Sequence, residues 1–159
     1  MTQSIYFASP LFSNMERQYN AYLVGKIREI YPNVNLYIPQ EQLEINDKNS
    51  YADSKKIALY DTNALLDSQL VIAILDGATI DVGVASEIGV AYQAGIPVLA
   101  LFSDSRQLGA TNPEKLAALQ EVAESQFPYA NLYTIGLIKL NGQVLADEES
   151  LLQAVQSYL

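Results

Sequence analysis

Residues 69–75 read Gln-Leu-Val-Ile-Ala-Ile-Leu (QLVIAIL), and Asp76-Gly77 follows at once. Six consecutive apolar residues leave no polar face, so this segment predicts a strand covered by helices on both sides, as in a parallel sheet. Working outward, residues 96–102 (IPVLALF) repeat the pattern, and Ser4–Ala8 (SIYFA) forms a third buried run. Between them lie helical stretches. Ser13 with Glu16 three residues on has capping-box spacing. The helix it opens is expected to stop before Pro32, with Tyr19, Tyr22, Leu23, Ile27 and Ile30 as its apolar stripe. Residues 34–38 predict a second strand, 41–50 a surface loop, and 51–68 an amphipathic helix built on Ile57, Leu59, Tyr60, Ala64 and Leu65. Residues 84–93 predict a helix closed by Gly95, a natural residue for the left-handed turn after a helix. Residues 112–124 predict another helix, 132–140 (LYTIGLIKL) the last strand, and 148–158 a closing helix.

The alternation of strands and helices specifies a single α/β domain over residues 1–159: a flavodoxin-like, doubly wound, five-stranded parallel sheet with helices on both faces. In such sheets ligands bind beyond the carboxyl ends of the strands, where the strand order reverses. The segments after the first and third strands are therefore privileged.

Composition narrows the chemistry. The 159-residue chain has no cysteine and no histidine. Disulfides, thiolate nucleophiles, His-based triads and His-bearing zinc sites are thereby excluded. Catalysis would fall to Asp, Glu, Tyr, Lys or Ser. A net charge of −9 repels phosphate backbones and anionic lipid, so neither nucleic acid nor a membrane is an expected partner. The opening residues have no signal-peptide pattern, and no apolar run approaches the ~20 residues that span a bilayer. A cytoplasmic protein is expected.

Taken singly, the candidate residues have ordinary explanations. Asp81 reads as a helix cap, Glu87 as a solvated charge, Asp61 as part of a polar helix face, and Tyr6 and Phe12 as packing. Convergence changes this, because the predicted fold sends the end of the first strand and the segment after the third to one crevice. Gly83 allows a close approach there, and Ala85, Ser86 and Gly89 leave space around the Glu87 carboxylate.

The residues Ile5-Tyr6-Phe7-Ala8-Ser9-Pro10-Leu11-Phe12, Asp61 and Asp81-x-Gly83-x-x-x-Glu87-x-Gly89-x-Ala91 resemble, in order and spacing, the nucleoside 2-deoxyribosyltransferases. The resemblance implies that Glu87 is the nucleophile, that Tyr6 orients it, and that Asp61 lies near the base and protonates it. It further implies that Asp81 lines the pocket and that Phe12 packs on the base. Gln40 matches a base-binding glutamine, and Asn131 an asparagine lent by a neighbouring subunit to the sugar 5′-hydroxyl. A homo-oligomer with sites at subunit interfaces follows from the resemblance, as do a deoxynucleoside donor, a free nucleobase acceptor, and no cofactor or metal. Ala8-Ser9-Pro10 replaces a more glycine-rich loop, and no Arg or Lys stands near these motifs, which favours nucleosides over 5′-monophosphates. A hydrolase on the same scaffold and a non-catalytic receiver-like or TIR-like module are the alternatives. The absence of an acidic pair after the first strand argues against a receiver.

Overall fold

The computed structural model describes residues 3–47, 49, 53–124 and 129–159. The chain order begins with strand β1 (Ser4–Ala8), helix α1 (Asn14–Ile30), strand β2 (Asn35–Tyr37), a 3-10 turn (Pro39–Glu41) and helix α2 (Leu43–Asn46). Helix α3 (Ser54–Leu66), strand β3 (Leu70–Ile74), helix α4 (Val82–Gln93) and strand β4 (Val98–Leu101) come next. A second 3-10 turn (Ser105–Leu108), helix α5 (Pro113–Ala118), helix α6 (Leu132–Leu140), strand β5 (Gly142–Leu145) and helix α7 (Glu148–Val155) complete it.

Among the described residues the five strands form one all-parallel sheet in the order β2-β1-β3-β4-β5. This is the flavodoxin-like order, with its reversal between β1 and β3. Alternate side chains along each strand feed opposite faces. Ile5, Phe7, Ile72 and Leu99 pack with Leu23, Ile27 of α1 and Leu151, Val155 of α7. Tyr6, Ala8, Val71, Ala73 and Ala100 pack on the other face with Leu65, Val84, Ile88 and Ile138 from α3, α4 and α6. The central strands are buried throughout, as the uninterrupted apolar run of residues 69–75 requires.

The expected capping box forms: the Ser13 hydroxyl accepts from the Glu16 amide, and the Glu16 carboxylate accepts from the Ser13 amide. Gly95 adopts φ +73° after α4, as a residue closing a helix should. Other expectations change. In α1 the buried stripe is Asn20, Leu23, Val24 and Ile27, whereas Tyr22 and Ile30 are exposed. In α3 only Leu65 of the expected stripe is fully buried, and Leu59 and Tyr60 are exposed. Residues 41–50, expected as an irregular loop, include α2; Ser50 and Tyr51 lie outside the described residues. The helix expected over 112–124 is only the six residues of α5, after which the backbone turns through Ala123 at φ 70°.

The largest correction concerns residues 132–140. They form helix α6, not the last strand, which is Gly142–Leu145. Asn131 starts the helix by accepting the amide protons of Tyr133 and Thr134. Thr134 and Ile138, four residues apart, are then buried on one helical face. An almost wholly apolar segment carries no period to distinguish helix from strand, and its β-branched and aromatic residues bias the reading towards strand.

Candidate active site

A cleft of about 270 Å³ opens at the carboxyl ends of β1 and β3, lined by Ser9, Leu11, Phe12, Pro39, Asn46, Ile57, Asp61, Asp81, Gly83, Val84 and Glu87. This is the position that the strand-order reversal predicts. A larger, shallow groove of about 940 Å³ lies between α1 and α7, on the opposite face of the sheet.

The wall formed by β1 and its loop is set by local hydrogen bonds. Glu16 Oε2 accepts from the backbone amides of both Phe12 (3.0 Å) and Ser13 (2.6 Å), so the capping box also fixes the Phe12 backbone. The Phe12 ring itself is 80% exposed while lining the cleft. Buried Asn20 donates from Nδ2 to the Pro10 carbonyl (2.8 Å) and to Gln40 Oε1 (3.0 Å). Gln40 in turn donates from Nε2 to the Arg17 carbonyl (3.1 Å). Both ends of its amide thus tie the Pro39–Glu41 turn to α1, and Gln40 is outside the cleft lining.

The opposite wall is the start of α4. Asp81 caps the helix, its Oδ1 accepting from the Gly83 amide (2.9 Å) and the Val84 amide (3.1 Å). A Cβ on Gly83 would stand 3.0 Å from that same oxygen, so glycine keeps the cap close. One and a half turns on, α4 carries Glu87 to the cleft. The Tyr6 hydroxyl donates to Glu87 Oε1 at 2.6 Å from a ring that is wholly buried in the sheet. Helix α3 supplies Asp61, whose Oδ1 accepts from the Tyr37 hydroxyl at 3.0 Å. The two tyrosine rings stack with centroids 5.4 Å apart and planes inclined by 16°.

Burial dominates the electrostatics. It pushes the Glu87 carboxyl up to about 7; the Tyr6 hydrogen bond opposes the rise, and the charges of Asp61 and Asp81 add to it. Asp61 is also raised by burial, with the Tyr37 hydrogen bond opposing. Tyr6 and Tyr37 are both driven upward, first by burial and then by the neighbouring carboxylates, so both remain protonated donors. At Glu87, repulsion between carboxylates is secondary to desolvation.

The cleft therefore brings together Tyr6, Phe12, Asp61, Asp81, Gly83 and Glu87. Asn131 stands apart at the exposed start of α6 and Gln40 behind the wall. Sequence reasoning missed Tyr37, Ile57 and Asn46 as site residues. Tyr37 had a legible signal: with β2 beside β1, it pairs in register with Tyr6. No group of His, Cys, Asp or Glu among the described residues has a metal-binding arrangement.

A five-stranded parallel sheet with carboxylates gathered at its switch point defines an α/β protein with an acidic cleft at the carboxyl ends of its strands. The family model for nucleoside 2-deoxyribosyltransferase matches residues 5–146, and the chain belongs to that family. Its structure is similar to that of a conserved protein from Enterococcus faecalis V583, at 60% identity over the whole of both chains with TM-score 0.94. The 2-desoxiribosyltransferase from Leishmania mexicana shares the fold at 20% identity and TM-score 0.63, over 98% of this chain and 96% of its own. A CMP N-glycosidase from Clostridium botulinum does so at 15% identity and TM-score 0.52, over 99% of this chain and 100% of its own. No curated protein matches the sequence. No helix among the described residues is long and apolar enough to cross a membrane.

Proposed function

We propose that this protein transfers 2-deoxyribose between nucleobases through a covalent deoxyribosyl ester on Glu87. The observation that carries the proposal is the 2.6 Å hydrogen bond from buried Tyr6 to Glu87, in a cleft shared with Asp61 and Asp81. Ionised Glu87 attacks C1′ of the nucleoside as the bond from C1′ to the base nitrogen breaks. The bonding pair passes to the base, and protonated Asp61 supplies the proton that neutralises it. Negative carboxylates stabilise the oxocarbenium charge that develops on the sugar, and capture as an ester divides the reaction into two displacements. A ring nitrogen of a second base then attacks C1′, the ester oxygen leaves as the Glu87 carboxylate, and the proton that the base nitrogen gives up returns to Asp61. Two inversions retain the β configuration.

Donor and acceptor fit the lining. No Lys or Arg lines the cleft, so a neutral deoxynucleoside is favoured over a phosphorylated one. Exposed Phe12 offers an aromatic face on which a base can stack, a contact indifferent to which base it is. In this reading the protein acts as one domain in the reuse of deoxynucleosides, with no metal or cofactor in the reaction.

A homo-oligomer belongs to the same proposal. On a chain of net charge −9, α4 and α6 together carry only Glu87 and Lys139 as charges. Leu132, Tyr133 and Leu140 of α6 are exposed beside them. Asn131 sits at the exposed end of this apolar helix, where it would reach a neighbour's cleft and not its own.

Hydrolysis uses the same groups with water in place of the second base, and the open mouth around Phe12 favours that side reaction. The test is incubation with deoxyinosine, with and without adenine, beside the Glu87→Ala variant. Deoxyadenosine formed by the wild type and not by the variant supports the proposal. Hypoxanthine release that adenine cannot divert would make the protein a hydrolase, and exchange by Glu87→Ala at a normal rate would remove Glu87 from the role.

A further inference from the structure

We infer that Tyr37 is a positioning residue that holds the Asp61 carboxylate by its hydroxyl and, through its ring, fixes Asp61 relative to the Tyr6–Glu87 pair. The inference rests on the proposed roles of Glu87 and Asp61. Three contacts form one chain across the cleft floor: Asp61 to Tyr37 at 3.0 Å, Tyr37 stacked on Tyr6 at 5.4 Å, and Tyr6 to Glu87 at 2.6 Å. Each link is short and directional, and two of its members are anchored by the sheet. Tyr6 and Tyr37 are register partners on adjacent parallel strands, so backbone hydrogen bonds set the spacing of the rings. The carboxylates come from different helices, α3 and α4, whose mutual position would otherwise depend on packing alone. Because two displacements at one carbon need an acid and a nucleophile at fixed separation, a rigid link has a catalytic purpose.

Asp61 interacts electrostatically with Tyr6 of β1 and Glu87 of α4, Tyr60 of its own helix acts on Tyr37, Asp81 shares the cleft, and no Lys or Arg is among the cleft's lining residues. The Tyr37 hydroxyl is therefore the neutral donor that stabilises the Asp61 anion, and its removal makes Asp61 a weaker acid.

The experiment uses Tyr37→Phe, which retains the stacked ring, in the full chain. Base exchange is measured across pH, and the Asp61 carboxyl is titrated directly by carbon NMR in wild type and variant without substrate. The expected result is a fall in kcat of about tenfold or more with KM nearly unchanged, and an Asp61 midpoint moved to higher pH. In an Asp61→Asn background the same substitution has little further effect on kcat. An unmoved midpoint overturns the inference whatever the activity does, and so does an unchanged kcat with a moved midpoint. A wild type that exchanges no base overturns the Glu87 reading instead, and the titration still decides whether Tyr37 holds Asp61.

Discussion

The Tyr6 hydroxyl meets Glu87 Oε1 at 2.6 Å, although 81 positions separate the two residues in the chain. One is fixed by β1 in the middle of the sheet and the other by the second turn of α4. The contact both aims the carboxylate and stabilises its charged form. Tyr6→Phe keeps the ring and its stack on Tyr37 while deleting the donor. Base exchange is expected to fall by about 10²-fold, the order of loss that follows misplacement of a reacting group. With the opposing hydrogen bond gone, the Glu87 carboxyl rises further, so its titration midpoint moves to higher pH. Initial rates and a carbon NMR titration of the variant check the two effects, and an unmoved midpoint would separate Tyr6 from Glu87 ionisation.

Burial holds the Glu87 carboxyl protonated below about 7, so its carbon NMR titration in the wild type should show a midpoint near that pH. Asp81 contributes to this raised midpoint by its charge. Asp81→Asn retains an oxygen for the α4 cap while removing that charge. Its Glu87 midpoint is therefore expected at lower pH than the wild type's, with little change in melting temperature. Asp81→Ala, by contrast, leaves the Gly83 and Val84 amides uncapped and costs about 1 kcal/mol of stability. A Glu87 midpoint that stays put in Asp81→Asn would refute the electrostatic coupling.

The same burial makes Glu87 a stability liability at neutral and alkaline pH. Its folded-state pKa lies above the unfolded value, from 4.5 up to about 7. The native state thus binds more protons between those values, and its stability falls as pH rises through them. Below 4.5 the contribution is fully favourable; above 7 about 3 kcal/mol of it has gone. Glu87→Gln cannot ionise, yet its amide oxygen still accepts from Tyr6. Its melting temperature relative to wild type should climb from pH 4.5 to 7 and then level off. A difference independent of pH would mean that Glu87 is not desolvated in solution.

Much of this site could be read before the fold was known, and the reason is local. The Asp81 cap, the small residues after it and the Ser13–Glu16 box lie within single segments whose spacing is visible in sequence. Tyr37 becomes legible only once the expected strand order sets β2 beside β1, and Asn46 was not visible, because it sits on a short helix within a polar stretch. Gln40 shows the reverse. Its type fits a ligand contact, but Asn20 and the Arg17 carbonyl occupy its amide. The misread strand at 132–140 failed because uniform apolarity erases the period, while the true strand, Gly142–Leu145, is short and half-exposed.

Phe12 offers a clean separation of binding from folding. Its ring is 80% exposed, so Phe12→Ala should change stability by no more than about 0.5 kcal/mol. If a base stacks on it, loss of that contact costs about 1–3 kcal/mol of binding. KM for the deoxynucleoside is then expected to rise about tenfold, with kcat less affected. Initial rates over a range of donor concentrations check this, and an unchanged KM would leave Phe12 without a role in the cleft.

Gly142 bears on the fold in the way Phe12 bears on the ligand. A Cβ at this position would lie 2.0 Å from the Val98 carbonyl oxygen and 2.8 Å from its carbonyl carbon. Those are backbone atoms of β4, in register with Gly142 itself, so no side-chain rotation can relieve the clash. Gly142→Ala must push β5 away from β4, and α6 and α7 pack on both sides of that pair. The loss should reach or exceed the upper end of the overpacking range, about 3 kcal/mol. Gly136→Ala is the matched control, since nothing stands within 4 Å of its added methyl. Urea denaturation of the two variants gives the comparison. Equal midpoints would show that β5 does not pair with β4 as described, whereas a large loss confined to Gly142→Ala ties this glycine to the closing edge of the sheet.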